Sequence, residues 1–183
     1  MIFLFVVPAT FIALLVHEMG HFLAARALRV PVLQIAIGFG PQLLSIHLFG
    51  CNIKVAVFPL SASTSYGQHP RGMRASCIAA AGPCASVLLA AAALMVVGLP
   101  WRGEIVDWTP ALESHWASAC LVTSIVSSTI ALFNMVPLWP LDGAAILTGH
   151  VQTAEGDGFH RGLVLWSLQA LLCLILVVEL ASR

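Results

Sequence analysis

His17 and His21 stand four residues apart in the string His17-Glu18-Met19-Gly20-His21, which follows sixteen residues without a charge. On an α-helix, positions i and i+4 fall about 40° apart on one face, so both imidazoles can reach one metal ion. Zinc takes such nitrogens at about 2.0–2.1 Å. Glu18, one position past the first imidazole, is placed to take a proton from an attacking water. With 7 His in 183 residues, a shuffled chain of this composition would carry the pattern about 0.007 times, so coincidence explains it poorly. Two His and a Glu inside an apolar span are costly, and such groups mark function before packing.

Two imidazoles leave zinc short of ligands, and Asp142 is the best candidate for a third. It closes the string Asn134-Met135-Val136-Pro137-Leu138-Trp139-Pro140-Leu141-Asp142-Gly143. Pro137 and Pro140 interrupt a helix there, and Gly143 permits a tight bend, so a carboxylate can turn inward. The competing reading of Asp142 is a helix cap. Asn134, at the base of the same apolar stretch, has two readings: it could bind a substrate backbone or satisfy carbonyls freed by the break. His47, His69, His115, His150 and His160 are not spaced as ligands. Ser61, Ser63, Thr64 and Ser65 have no paired base in the sequence, which argues against a serine nucleophile.

The elements that must position these groups follow from composition. Of the 183 residues, 60% are hydrophobic and 9% charged, against about 25% charged in a soluble domain. Lys+Arg and Asp+Glu are each 8, for a net charge of zero. A soluble enzyme, a disordered tail and a nucleic-acid binder are therefore poor fits. The chain reads as a single polytopic membrane domain over 1–183, all-α, with about four transmembrane helices. The spans are expected at about 2–28, 77–99, 116–133 and 163–180. Without a basic leader or a small-residue cleavage site before His17, the first reads as a retained span.

Residues 32–66 fit neither a polar loop nor a helix. Ser45–Phe49 and Ile53–Phe58 alternate and are rich in Ile, Val and Phe. They predict a membrane-associated β-hairpin turning at Gly50-Cys51-Asn52, with Gly38, Gly40 and Pro41 marking its approach and Pro59 closing it. Backbone of this kind survives at membrane depth only when buried in protein or lining a wet cavity. Its free edge is a docking place for an extended peptide; the alternative is an ordinary surface hairpin.

Six of the eight basic residues (Arg26, Arg29, Lys54, Arg71, Arg74 and Arg161) fall on one side of this arrangement, and Arg102 and Arg183 on the other. The positive-inside rule then places the first loop in the cytoplasm and both termini outside, with Trp101, Trp108 and Trp116 near the outer boundary. Cys51, Cys77, Cys84, Cys120 and Cys173 form no CxxC pair and read as small packing residues.

His17-Glu18-Met19-Gly20-His21, the stretch Phe22 to Val32, and Ile37-Gly38-Phe39-Gly40-Pro41 together resemble the site-2 protease family of intramembrane zinc metalloproteases (peptidase family M50). The string from Asn134 to Gly143 is similar to that family's NxxPxxxLDG motif, whose Asp is the third zinc ligand. Ala81-Gly82-Pro83 looks like its AGPxxN motif, with Ser86 where the family often has Asn. Unlike the bacterial branch it most resembles, this chain has no room for a PDZ domain between Gly98 and His115. Ser61 to Tyr66 replaces the Gly-Gly-Tyr often found after the hairpin.

The resemblance implies a zinc endopeptidase with Zn2+ held by His17, His21 and Asp142 and with Glu18 as catalytic base. It would cut a single-span membrane protein within or near its membrane segment. The expected setting is a bacterial cell membrane, with the active site toward the cytoplasm, a regulatory membrane protein as a further partner, and no role for nucleic acid. An inactive membrane scaffold or chaperone of the same fold is the alternative. It is disfavoured because Glu18 and all three ligands are present. A zinc or proton transporter is a third reading, disfavoured because the second and fourth spans hold almost no ionisable groups.

Overall fold

The computed structural model describes residues 2–97, 115–150 and 157–181. After a short 3-10 turn, Ile2–Phe5, helix α1 spans Val6–Ala27. Pro8 is tolerated because it lies in the first turn, where its missing N–H would have no helical partner. The helix ends with Arg29 in the left-handed region (φ 59). There Val30 N–H reaches the Ala25 carbonyl (2.8 Å) and Arg29 N–H the Arg26 carbonyl (3.1 Å). These two bonds form a Schellman cap that satisfies orphan carbonyls and reverses the chain.

Strands β1 (Val32–Leu48) and β2 (Cys51–Tyr66) follow as an antiparallel hairpin. The expected hairpin is present, but its turn is Phe49-Gly50, not Gly50-Cys51-Asn52. Both residues have positive φ (52 and 76), the mirror-image turn whose twist matches the flanking strands. Gly38 and Gly40 (φ 90 and 92) lie within β1, where they bend it, and Pro59 lies within β2. The bend lets residues 34–37 be paired on both edges. Ile35, for example, is opposite Ile53 and also opposite Thr64. Segment 62–66 pairs on one edge only, and its other edge has no strand partner among the described residues.

Helix α2 runs Met73–Val97, starting before the expected Cys77, and α3 runs His115–Asn134. The chain then breaks at Pro137 and at the cis Trp139–Pro140 bond. It re-enters a short helix, α4 (Asp142–Thr148), and finishes in α5 (Asp157–Ala181). Among the described residues, α1, α2 and α3 are long and apolar enough to cross a membrane, and α5 holds a shorter apolar stretch, Ser167–Glu179. The expected loop between Gly98 and His115, with Trp101 and Trp108, lies outside the described residues.

Helices α1, α2 and α3 pack against one another around Ala13, Ile78, Val122, Val126 and Ile130, while Leu88, Val96 and Leu132 face outward. The approach of α1 to α2 is backbone-close: a Cβ built on Gly20 would run into the Ala81 carbonyl. Small residues at such a crossing let helices approach where lipid offers no hydrophobic drive between them. Gly20 thereby sets the distance at which His17 and His21 meet α2.

Candidate metal centre

His17, Glu18 and His21 are buried in α1, with both imidazoles turned toward α2 and Glu18 toward β2. Helix α2 supplies a partner to each imidazole. His21 Nδ1–H donates to the Ile78 carbonyl (2.8 Å), and His17 Nδ1 lies 3.0 Å from Ser86 Oγ. A carbonyl can only accept, so the His21 proton sits on Nδ1 and the Nε2 lone pair faces inward. With Ser86 accepting from His17, both Nε2 lone pairs point to one place, as in metal sites oriented by their outer shell.

The third donor comes from beyond the broken helix. Asp142 Oδ2 lies 3.1 Å from His17 Nε2 and 3.3 Å from His21 Nε2, and the two Nε2 atoms are 3.2 Å apart. Donors held tetrahedrally at about 2.0–2.1 Å from a common centre are about 3.3 Å from one another. The three edges match, and three convergent electron-pair donors without a cation would repel. The donor set thus fits zinc, with His17, His21 and Asp142 as the group among the described residues able to hold an ion.

Asp142 does not cap its helix: the cap position of α4 is Leu141, which makes no side-chain capping bond. Helix α4 is tied to α2 by Ser76 Oγ donating to the Ile146 carbonyl (2.9 Å) and by Gly72 N–H donating to Gly149 O (2.7 Å).

Gly82 lies directly under the imidazoles. A Cβ there would run into His21 Nε2 and come within 2.9 Å of His17 Nε2. The Ala81-Gly82-Pro83 string therefore makes room for the donor cluster.

Glu18, 4% exposed, does not join the cluster; its Oε2 accepts a 2.5 Å hydrogen bond from Thr64 Oγ1 on β2. Glu18, the donor cluster and segment 59–66 line one cavity of about 780 Å³. Tyr66 lines it too. Burial first, then the Glu18 and Asp142 charges, push its hydroxyl far up, so it stays a neutral donor.

Asn134 Nδ2 donates to the Ile130 carbonyl (3.0 Å), one turn back within α3, while the residue still lines the cavity. His69 and His150 also line it but do not join the cluster; His47 bonds Asn52 (2.8 Å), away from it. Ser86, which stands where the family often has Asn, is 0% exposed and lies against the Nδ1 of a metal-directed imidazole. Sequence reasoning gave no signal for Ser86, Thr64 or Tyr66 as site residues, because each reaches the site from a distant segment.

A bundle of apolar helices with an inserted hairpin, enclosing two His, an Asp and a separate Glu, defines a metallohydrolase type of site in an integral membrane protein. The chain belongs to peptidase family M50, whose model matches residues 5–102. It is similar to a protein of Thermotoga maritima provisionally named a zinc metalloprotease, 29% identical over 61% of this chain and 27% of that one. It is also similar to a protein of Clostridium acetobutylicum with the same kind of name, 31% identical over 55% of this chain and 35% of that one. A shorter match, 48% identical over 24% of this chain and 12% of the relative, is to a protein of Campylobacter jejuni so named. The chain spans about a quarter to a third of the length of the first two relatives. Zinc is the cofactor that this family and this donor set imply.

Proposed function

We propose that this chain is an intramembrane zinc endopeptidase that hydrolyses a peptide bond within or near the transmembrane segment of another membrane protein. The observation that carries the reading is the convergence of His17 Nε2, His21 Nε2 and Asp142 Oδ2 beside a carboxylate that is not itself a ligand. Bound zinc would supply polarisation of the scissile carbonyl and acidification of water. Glu18 removes the proton of the attacking water as the C–O bond forms, then delivers it to the departing amine as the C–N bond breaks. Thr64 holds the carboxylate facing the cavity.

A helical substrate hides its carbonyls in internal hydrogen bonds, so it must unwind before attack. The unpaired edge of segment 62–66 offers backbone groups to the unwound strand. Four spans, including α5, bring the hairpin and Asp142 to the cytoplasmic side of a bacterial cell membrane. A single-span membrane protein is the substrate, and a further membrane protein regulates its access.

Glu18→Gln tests this reading, because it keeps size and hydrogen bonding and removes the base. Zinc content should stay at about one per chain, while cleavage of a co-expressed single-span protein should fall by a factor on the order of 10²–10⁴ or more. Cleavage at the wild-type rate by Glu18→Gln, or no cleavage by the zinc-loaded wild type, would favour the inactive scaffold.

A further inference from the structure

Helix α5 presents one inward stripe, Gln169, Cys173 and Val177, while Leu168, Leu171, Leu172 and Ile175 face outward. Gln169 is the polar member of that stripe. It is 7% exposed, and its Oε1 has no hydrogen-bond partner among the described residues. A buried amide oxygen without a partner destabilises the fold, and a polar group on the inward face of a membrane helix points to a ligand. Gln169 lines the same cavity as Glu18, Asp142 and segment 59–66. Asn134, the other cavity amide, is already engaged with the Ile130 carbonyl.

An extended peptide carries backbone donors and acceptors along both of its edges. When one edge pairs with segment 62–66, the opposite edge needs partners from another wall. We infer that Gln169 is a substrate-binding residue whose side-chain amide oxygen accepts a backbone N–H of the unwound peptide on the edge facing away from β2. The inference rests on the protease reading and adds to it the group that grips the substrate's second edge. It also gives the unpartnered oxygen a purpose: the site is left unsatisfied until a peptide fills it.

The test uses the full chain in liposomes and a synthetic single-span peptide of about 20 apolar residues with a central pair of glycines. Gln169→Leu keeps the volume and removes the amide. KM for the peptide should rise about three- to tenfold, the loss of one hydrogen bond, with kcat and zinc content near wild type. The melting temperature should stay level or rise, because an unsatisfied polar group has been removed. A structural role for Gln169 predicts the reverse, a lower melting temperature.

A second measurement does not depend on cleavage. A photo-reactive benzoylphenylalanine replaces Gln169 in one Glu18→Gln protein, and Ser63, on the β2 wall, in another. Crosslinks to the peptide's central residues from both positions support the inference. A crosslink from position 63 but not from 169, an unchanged KM in Gln169→Leu, or a lower melting temperature overturns it while leaving the protease reading intact. Crosslinks from neither position, with no cleavage by wild type, overturn the protease reading and this inference with it.

Discussion

Thr64 Oγ1 donates a 2.5 Å hydrogen bond to Glu18 Oε2, joining the third-from-last position of the hairpin to the carboxylate beside the metal donors. The bond couples two parts of the proposed reaction. The strand segment that would align a peptide is also the segment that orients the base. A short bond to a carboxylate is of the charge-assisted kind, stronger than a neutral pair. Displacing the 62–66 segment would therefore swing Glu18 out of line as well as loosen the substrate.

Thr64→Val keeps the shape of the side chain and removes the donor. Glu18 then loses one hydrogen bond to a charged group, about 1.5–3 kcal/mol of orientation. Peptide cleavage should show kcat lowered roughly 10- to 100-fold, with bound zinc unchanged because no donor to the metal is touched. Equal kcat in the two proteins would show that Glu18 is held by other means.

Ser86→Ala probes the other support. His17 loses the partner of its Nδ1 in a position 0% exposed, where no water can replace it. Removing such an orienting partner typically weakens metal binding 10- to 100-fold. Competition with a chelator should therefore strip zinc from Ser86→Ala at concentrations that leave the wild type loaded. The small volume change should leave the helical content intact by circular dichroism. Unchanged zinc affinity would reduce Ser86 to a packing residue.

The cluster of His17, His21 and Asp142 is legible in the sequence because its rules are local. The spacing of His17 and His21 fixes them on one helical face, and Pro137 and Pro140 announce the break that frees Asp142. The hairpin is legible as a class of element, but its turn is displaced by one residue because Phe49 adopts a positive φ, which the sequence pattern gives no reason to expect of an aromatic residue. Ser86, Thr64 and Gln169 were not legible at all. Their roles depend on which face of α2, β2 and α5 turns toward α1, and in helices apolar all round no periodicity declares that face.

The charge distribution makes a topological prediction. Arg71 and Arg161 should lie on the cytoplasmic side and the C-terminus of α5 on the other, since six of the eight basic residues share one side in a four-span arrangement. A C-terminal reporter active only outside the cytoplasm should be active. A cytoplasmic C-terminus would require an odd number of spans and would remove α5 from the membrane.

Gly82 gives the sharpest separation of fold from site. It lies in the interior of α2, where Ala is favoured over Gly by about 0.5–1 kcal/mol. On helix propensity alone, Gly82→Ala should stabilise the protein. Yet the added methyl would enter the space of His21 Nε2 and stand 2.9 Å from His17 Nε2, the two atoms that must both face the metal. The imidazoles cannot retreat, because Ile78 and Ser86 hold their far nitrogens. In stability the helical gain is opposed by the strain of the crowded imidazoles, so the metal is the readout: zinc retained after dialysis should fall from about one per chain to near zero. Cleavage should fall with it. A variant that keeps its zinc would mean that the metal lies elsewhere than between His17, His21 and Asp142.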